Sequence, residues 1–224
     1  MTSLPRLILF PGLGADARMF HPQKCLPGIE TPDWIPHLPR ESLPAYSKRF
    51  ADTLDIREPA ILGGVSMGGM IALEMARLIP TRSVILIGST RDMSILNPWL
   101  KWSERASRLA PTVLLDKGRI LAPLFLGQGG HIPREDRQLL IRMAREMDPA
   151  FLRWAARAVL EWPGCTDPGV PVHHIHGDRD WVFLARKVMP DRVIPGGSHV
   201  LNLSHPREVN DFIAERIADQ VPAP

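Results

Sequence analysis

The sequence predicts an α/β fold, a mostly parallel central sheet flanked by helices with a helical cap inserted into it. Three observations lead there. Short apolar runs at residues 7–10, 59–65, 83–88 and 170–175 have the length and all-round hydrophobicity of strands buried on both faces. Helix-forming stretches separate the first of these, which calls for right-handed crossovers between parallel strands. Between residues 91 and 164 the alternation stops and only helical periodicity is visible. The expected division is a core of residues 1–90 and 165–224, with 91–164 as the cap.

The elements follow in order. The first strand stops at Pro11-Gly12-Leu13-Gly14, a run that cannot continue a ladder. A second short strand is expected at residues 31–35. Tyr46, Phe50 and Leu54 recur every four residues and mark one face of a helix. The central run 59–65 contains Gly63-Gly64, and a helix is expected from Met67 to Ile79, stopped by Pro80. In the cap, Trp99, Trp102, Ala106 and Leu109 share one helical face, and Leu139, Leu140, Met143 and Met147 share another. Asp148-Pro149 reads as an N-cap followed by an N1 proline, opening a helix with Phe151, Trp154, Ala158 and Trp162 on its apolar side. Arg134, Arg137, Arg142 and Arg145 read as a solvated face. A last strand is expected at Arg192-Val193-Ile194, and after Pro206 an amphipathic helix turns Val209, Phe212, Ile213 and Ile217 inward.

Composition removes several classes of function. The 224 residues are 45% hydrophobic and 23% charged, the balance of a globular chain rather than a disordered one. No apolar run approaches the roughly 18 residues that span a bilayer. The stretch Leu7–Phe10 is too short for a signal peptide, so the expected address is the cytoplasm. The 27 Lys and Arg are scattered among 24 acids, for a net charge of +3 and no basic run interleaved with aromatics, which argues against nucleic acid as a partner. Cys25 and Cys165 have neither metal-ligand nor redox spacing and are expected as reduced, partly buried thiols. His174 and His176 share a strand face beside His173. No Cys or carboxylate set completes a tetrahedron around them, so hydrogen-bonded core histidines are expected rather than metal ligands. A phosphate loop would need G-x-x-x-x-G-K-[ST], which the chain lacks.

One motif carries chemistry. Gly64-Val65-Ser66-Met67-Gly68 is a G-x-S-x-G pentapeptide between a buried strand and a helix. Such a turn must be sharp, holding its middle residue in a strained conformation with the hydroxyl presented at the strand's carboxyl end. A serine hydroxyl needs a base near neutral pH, and the base needs an orienting acid. His176-Gly177-Asp178-Arg179-Asp180 follows one late strand and Gly196-Gly197-Ser198-His199 the other, at the edge where open α/β sheets gather ligands. Asp180 is favoured as the acid by its Gly-x-x-Asp spacing, with Asp178 and Asp92 as alternatives. His205, just before Pro206, reads as a helix cap and leaves His199 as the candidate base.

Taken together, the strand ending in Pro11-Gly12-Leu13-Gly14, the turn at Ser66, the helical cap, Gly177-x-x-Asp180 and Gly-x-x-His199 resemble the α/β-hydrolase superfamily over nearly the whole chain. The resemblance implies the α/β-hydrolase fold, with Ser66 as nucleophile, His199 as general base and Asp180 as its orienting acid. It also implies an oxyanion hole made by the backbone N–H groups of Leu13 and Met67. Two departures stand out: Pro11-Gly12 replaces the His-Gly of many members, and the chain is short and without the leading antiparallel hairpin. The implied activity is hydrolysis of a small to medium carboxylic ester or thioester through an acyl-enzyme, with no metal or organic cofactor. A ligand-binding or signalling protein on the same fold is the alternative. The tryptophans of the cap suit either an apolar acyl pocket or simple helix packing, and oligomeric state is open.

Overall fold

In the computed structural model, residues 5–96 and 132–220 are described. Six strands form one sheet in the order β2-β1-β3-β4-β5-β6: β1 (Leu7–Phe10), β2 (Ile29–Glu30), β3 (Ala60–Val65), β4 (Thr81–Ile87), β5 (Val172–Gly177) and β6 (Arg192–Ile194). All five pairings are parallel. The chain adds β2 on one side of β1, crosses over, and then adds β3 to β6 on the other. That reversal puts a topological switch point between the carboxyl ends of β1 and β3, where Phe10 pairs with Gly64.

The two-residue period of the strands divides the core into two layers. Ile8, Phe10, Leu62, Val84 and Leu86 face one side, under α1 (Leu43–Ala51), α2 (Met67–Ala76) and α4 (Pro149–Leu160). Leu7, Leu9, Ile61, Ile85 and Ile87 face the other, against the 3₁₀ segment Ala17–Cys25, α3 (Arg134–Glu146) and α7 (Pro206–Ala218). Two short helices, α5 (Ala185–Val188) and α6 (Leu201–Ser204), complete the described chain.

Caps set the helix starts. The Ser42 hydroxyl accepts from Ala45 N–H at 3.3 Å, with Pro44 in the first turn of α1. Asp148 accepts from Ala150 N–H at 2.9 Å at the head of α4, as its Asp-Pro pair predicts. The arginines at 134, 137, 142 and 145 are exposed.

Several expectations need correction. The second strand is Ile29–Glu30, not 31–35. Pro32 and Pro36 have no N–H to give a ladder, and the segment is used by side chains instead: Trp34 Nε1 donates to Ala15 O and Tyr46 Oη donates to Ile35 O. α2 ends at Ala76 rather than Ile79, and α1 ends before Leu54. Cys25 is exposed; Cys165 is buried, and both are free. Trp99, Trp102, Ala106 and Leu109 lie outside the described residues. Trp154 and Trp162 are described, and both tie α4 and its exit to the core. Trp154 Nε1 donates to Glu41 O, and Trp162 Nε1 to Glu74 Oε1, each at 2.7 Å.

Candidate active site

Ser66 occupies the turn from β3 into α2 with φ 54° and ψ −117°, the strained conformation expected for the middle of the pentapeptide. Its backbone is fully engaged. The N–H donates to Ile87 O at 3.2 Å, and the carbonyl accepts from Gly69 N–H at 3.0 Å and from Ser89 Oγ at 2.7 Å. The hydroxyl takes no part in capping α2. A side chain at Gly68 would overlap the Phe10 carbonyl, and one at Gly64 would come 2.5 Å from Gly68 C. Only glycine lets the helix leave so close to β1 and β3.

Asp180 and His199 meet directly. His199 Nδ1 lies 2.8 Å from Asp180 Oδ2, and both residues are 1% exposed. The other carboxylate oxygen accepts from Val182 N–H at 2.8 Å and Phe183 N–H at 3.0 Å. Burial pushes this carboxyl up, but His199 and His176 facing it pull further the other way, so it is held well below the usual carboxylate range. An ionised acceptor fixes the proton of neutral His199 on Nδ1 and leaves Nε2 as the basic nitrogen.

Ser66 and His199 adjoin the same residue, Gly88 at the end of β4. The Ser66 N–H bonds the carbonyl just before Gly88, and the His199 carbonyl stands where a Gly88 side chain would. Gly88 has φ +52°. Among the described residues no hydrogen bond joins the Ser66 hydroxyl to the imidazole. Such contacts are commonly long without substrate.

The loop after β1 passes beside this turn, with a side chain at Gly12 coming 3.7 Å from Ser66 Cβ. Gly12 N–H is taken by Met19 Sδ at 3.3 Å, and Gly12 O by Ala15 N–H at 3.1 Å. Among the described hydrogen bonds, neither Leu13 N–H nor Met67 N–H has an acceptor. Ala144 of α3 and Leu152 of α4 overlie Gly14. An open cavity of about 520 Å³ lies next to this loop, lined by Asp16, Trp34, Met143 and Phe151 among others.

The alternative acids do other work. Asp178 accepts from Gly196 N–H at 2.7 Å and so braces the His199 loop, while Asp92 accepts from Ser94 N–H at the head of the 3₁₀ turn Met93–Ile95. His205 stands at the N-cap of α7 but makes no capping bond, correcting that expectation; its Nδ1 meets Ser204 Oγ at 3.0 Å. His174 and His176 are buried and joined Nε2 to Nδ1 at 3.1 Å. Among the described residues, no group of three or more His, Cys, Asp or Glu is arranged to hold a metal ion, and no helix is long and apolar enough to cross a membrane.

Sequence reasoning missed two features. One is the second imidazole on Asp180, that of His176 at 3.1 Å from Oδ2; the i,i+4 spacing across the strand end is the signal that could have shown it. The other is an amide network of buried Gln23 and Asn202 with half-buried Asn210, which ties the 3₁₀ segment to α6 and α7 after His199.

With this geometry in place, comparison with known proteins settles the family. The sequence profile of the alpha/beta hydrolase family matches residues 7–212. The chain belongs to the alpha/beta hydrolase family. No curated protein matches it in sequence. Among solved structures, the hydrolase olei00960 from Oleispira antarctica superposes with a TM-score of 0.78 at 15% identity, over 98% of this chain and 93% of that one. MenH from S. aureus gives 0.73 at 17%, over 98% and 95%. A thermophilic esterase from Thermogutta terrifontis gives 0.71 at 19%, over 97% and 90%. At these identities the likeness to these three structures is one of fold.

Proposed function

We propose that the protein is a serine hydrolase that cleaves a small to medium carboxylic ester or thioester through an acyl-enzyme. The observation that carries this reading is the strained Ser66 at the switch point, beside a buried Asp180–His199 pair bonded at 2.8 Å. Ser66 Oγ attacks the substrate carbonyl as His199 Nε2 takes its proton. The tetrahedral oxyanion sits on the N–H groups of Leu13 and Met67, the second at the positive end of α2. The imidazolium, stabilised by Asp180, protonates the departing alkoxide or thiolate; water then attacks the acyl carbon as His199 takes its proton, and His199 returns that proton to Ser66 Oγ as the acyl–oxygen bond breaks and the acid leaves. Residues 91–164 act as the cap over this site and 1–90 with 165–224 as the core. That a side chain at Gly14 would lie 3.9 Å from both Ala144 and Leu152 supports that division.

The solved neighbours that are named as esterases support the ester as substrate class. The test is a panel of p-nitrophenyl esters and acyl thioesters. The account expects turnover of at least one class by the wild-type chain and loss of about 10³-fold or more in Ser66→Ala. A folded chain that binds acyl ligands without turning any of them over is a ligand-binding protein instead.

A further inference from the structure

We propose that His176 is a positioning residue for the Asp180–His199 pair, setting the charge and orientation of the carboxylate on which the base depends. This rests on the reading of Ser66, His199 and Asp180 as the reactive groups. His176 Nε2 lies 2.8 Å from the Phe183 carbonyl and 3.1 Å from Asp180 Oδ2. Neither the carbonyl nor the carboxylate has a proton to give, so Nε2 carries the hydrogen and shares it between them. Both acceptors belong to one turn. Phe183 N–H holds Asp180 Oδ1 at 3.0 Å, and the Phe183 ring lies 5.6 Å from that of His199. His176 therefore grips the acid at one oxygen and, through the Phe183 carbonyl, steadies the residue whose N–H grips the other.

The imidazole is fully buried, so water does not compete for these contacts. On its other side Nδ1 meets His174 Nε2 at 3.1 Å. Burial pushes His174 down to about 3, so it is neutral at working pH. In the neutral chain His174 donates to His176, and His176 donates toward Phe183 and Asp180. The charged and titratable groups facing this row are His174, Asp180 and His199, with Arg91 acting on His174 and Asp191 accepting the His174 backbone N–H. A strand needing only packing at this position would be served by an aliphatic side chain.

Two donors on Asp180 Oδ2 divide its negative charge. His199 meets a carboxylate already partly satisfied, and its charged form is stabilised less than it would be by a lone partner. His176→Phe keeps a ring and removes the N–H. His176→Gln places an amide nitrogen where Nε2 stands and restores a donor. In ester hydrolysis, His176→Phe should lose about tenfold in kcat with KM within twofold. The acid limb of its kcat/KM profile should move to higher pH, because Asp180 then keeps its full charge for one donor instead of two. His176→Gln should recover most of both. If the Phe variant does not fold, His176→Met, flexible and without an N–H, takes its place. A folded donorless variant with wild-type kcat and acid limb overturns the proposal, as does a Gln variant no better than the donorless one. Wild-type activity in Ser66→Ala and His199→Ala would remove the underlying reading and this proposal with it. If those two are inactive while the donorless variant matches wild type, only the role of His176 falls.

Discussion

The His199 carbonyl packs against Gly88, and this contact fixes where the imidazole can stand relative to the Ser66 turn. Gly88 has φ +52° and adjoins Ile87, whose carbonyl holds Ser66 N–H. One residue thus registers the His199 loop against the Ser66 turn. Gly88→Ala adds a left-handed strain of about 1–2 kcal/mol and an overlap that costs about 1–3 kcal/mol more. Chemical denaturation should show a loss of about 2–5 kcal/mol, and any hydrolysis of ester probes per folded molecule should fall as His199 is displaced.

Asp180→Asn leaves a side chain of the same shape but offers His199 a weaker, uncharged partner. Activity should drop about 10³-fold to 10⁴-fold in a chain that still folds, with some loss of melting temperature because a buried acceptor of several N–H groups loses its charge. Asp178→Asn and Asp92→Asn should stay within a few-fold of wild type, since their carboxylates accept from Gly196 and Ser94 N–H. A silent Asp180→Asn beside a crippled Asp92→Asn would move the acid to the end of β4.

Much of this arrangement was legible in the sequence. Ser66 stood out because a G-x-S-x-G between an apolar strand and a helix restricts the backbone locally, and β6 was read at its observed bounds because Pro195 and the following glycines punctuate it. The second strand was misplaced because β-propensity at Trp34 and Ile35 says nothing of the prolines' missing donors or of the side chains that claim this segment. The Gly88–His199 contact and the His176–Asp180 approach depend on how strand ends line up across β4, β5 and β6. Residue order alone does not give that register. Trp162 was legible as apolar, but its buried partner, 88 residues away, was not.

That partner offers a structural test. Trp162→Phe removes the N–H that reaches Glu74 Oε1 at 2.7 Å, leaving a carboxylate in a 7% exposed residue without this donor. Stability should fall by about 2–3 kcal/mol, measured by urea denaturation, with kcat per folded molecule unchanged.

His174 makes stability depend on pH. Its pKa is about 3 in the fold against 6.5 in the unfolded chain, so the unfolded state binds the extra proton as pH falls from about 6.5 towards 3. Stability is lost over that window at about 1.4 kcal/mol per pH unit. Asp180, held below its ordinary value, adds a loss of the same sign only below about pH 4. Urea midpoints of His174→Gln should therefore be flatter between pH 6.5 and 4 than those of wild type.

Intact-mass analysis after treatment with a fluorophosphonate asks whether Ser66 is an activated nucleophile. One adduct per chain is expected, mapped to Ser66, absent in Ser66→Ala and slowed at least about 10³-fold in His199→Ala. A folded wild-type chain that takes no label, or takes it elsewhere, would contradict that role for Ser66.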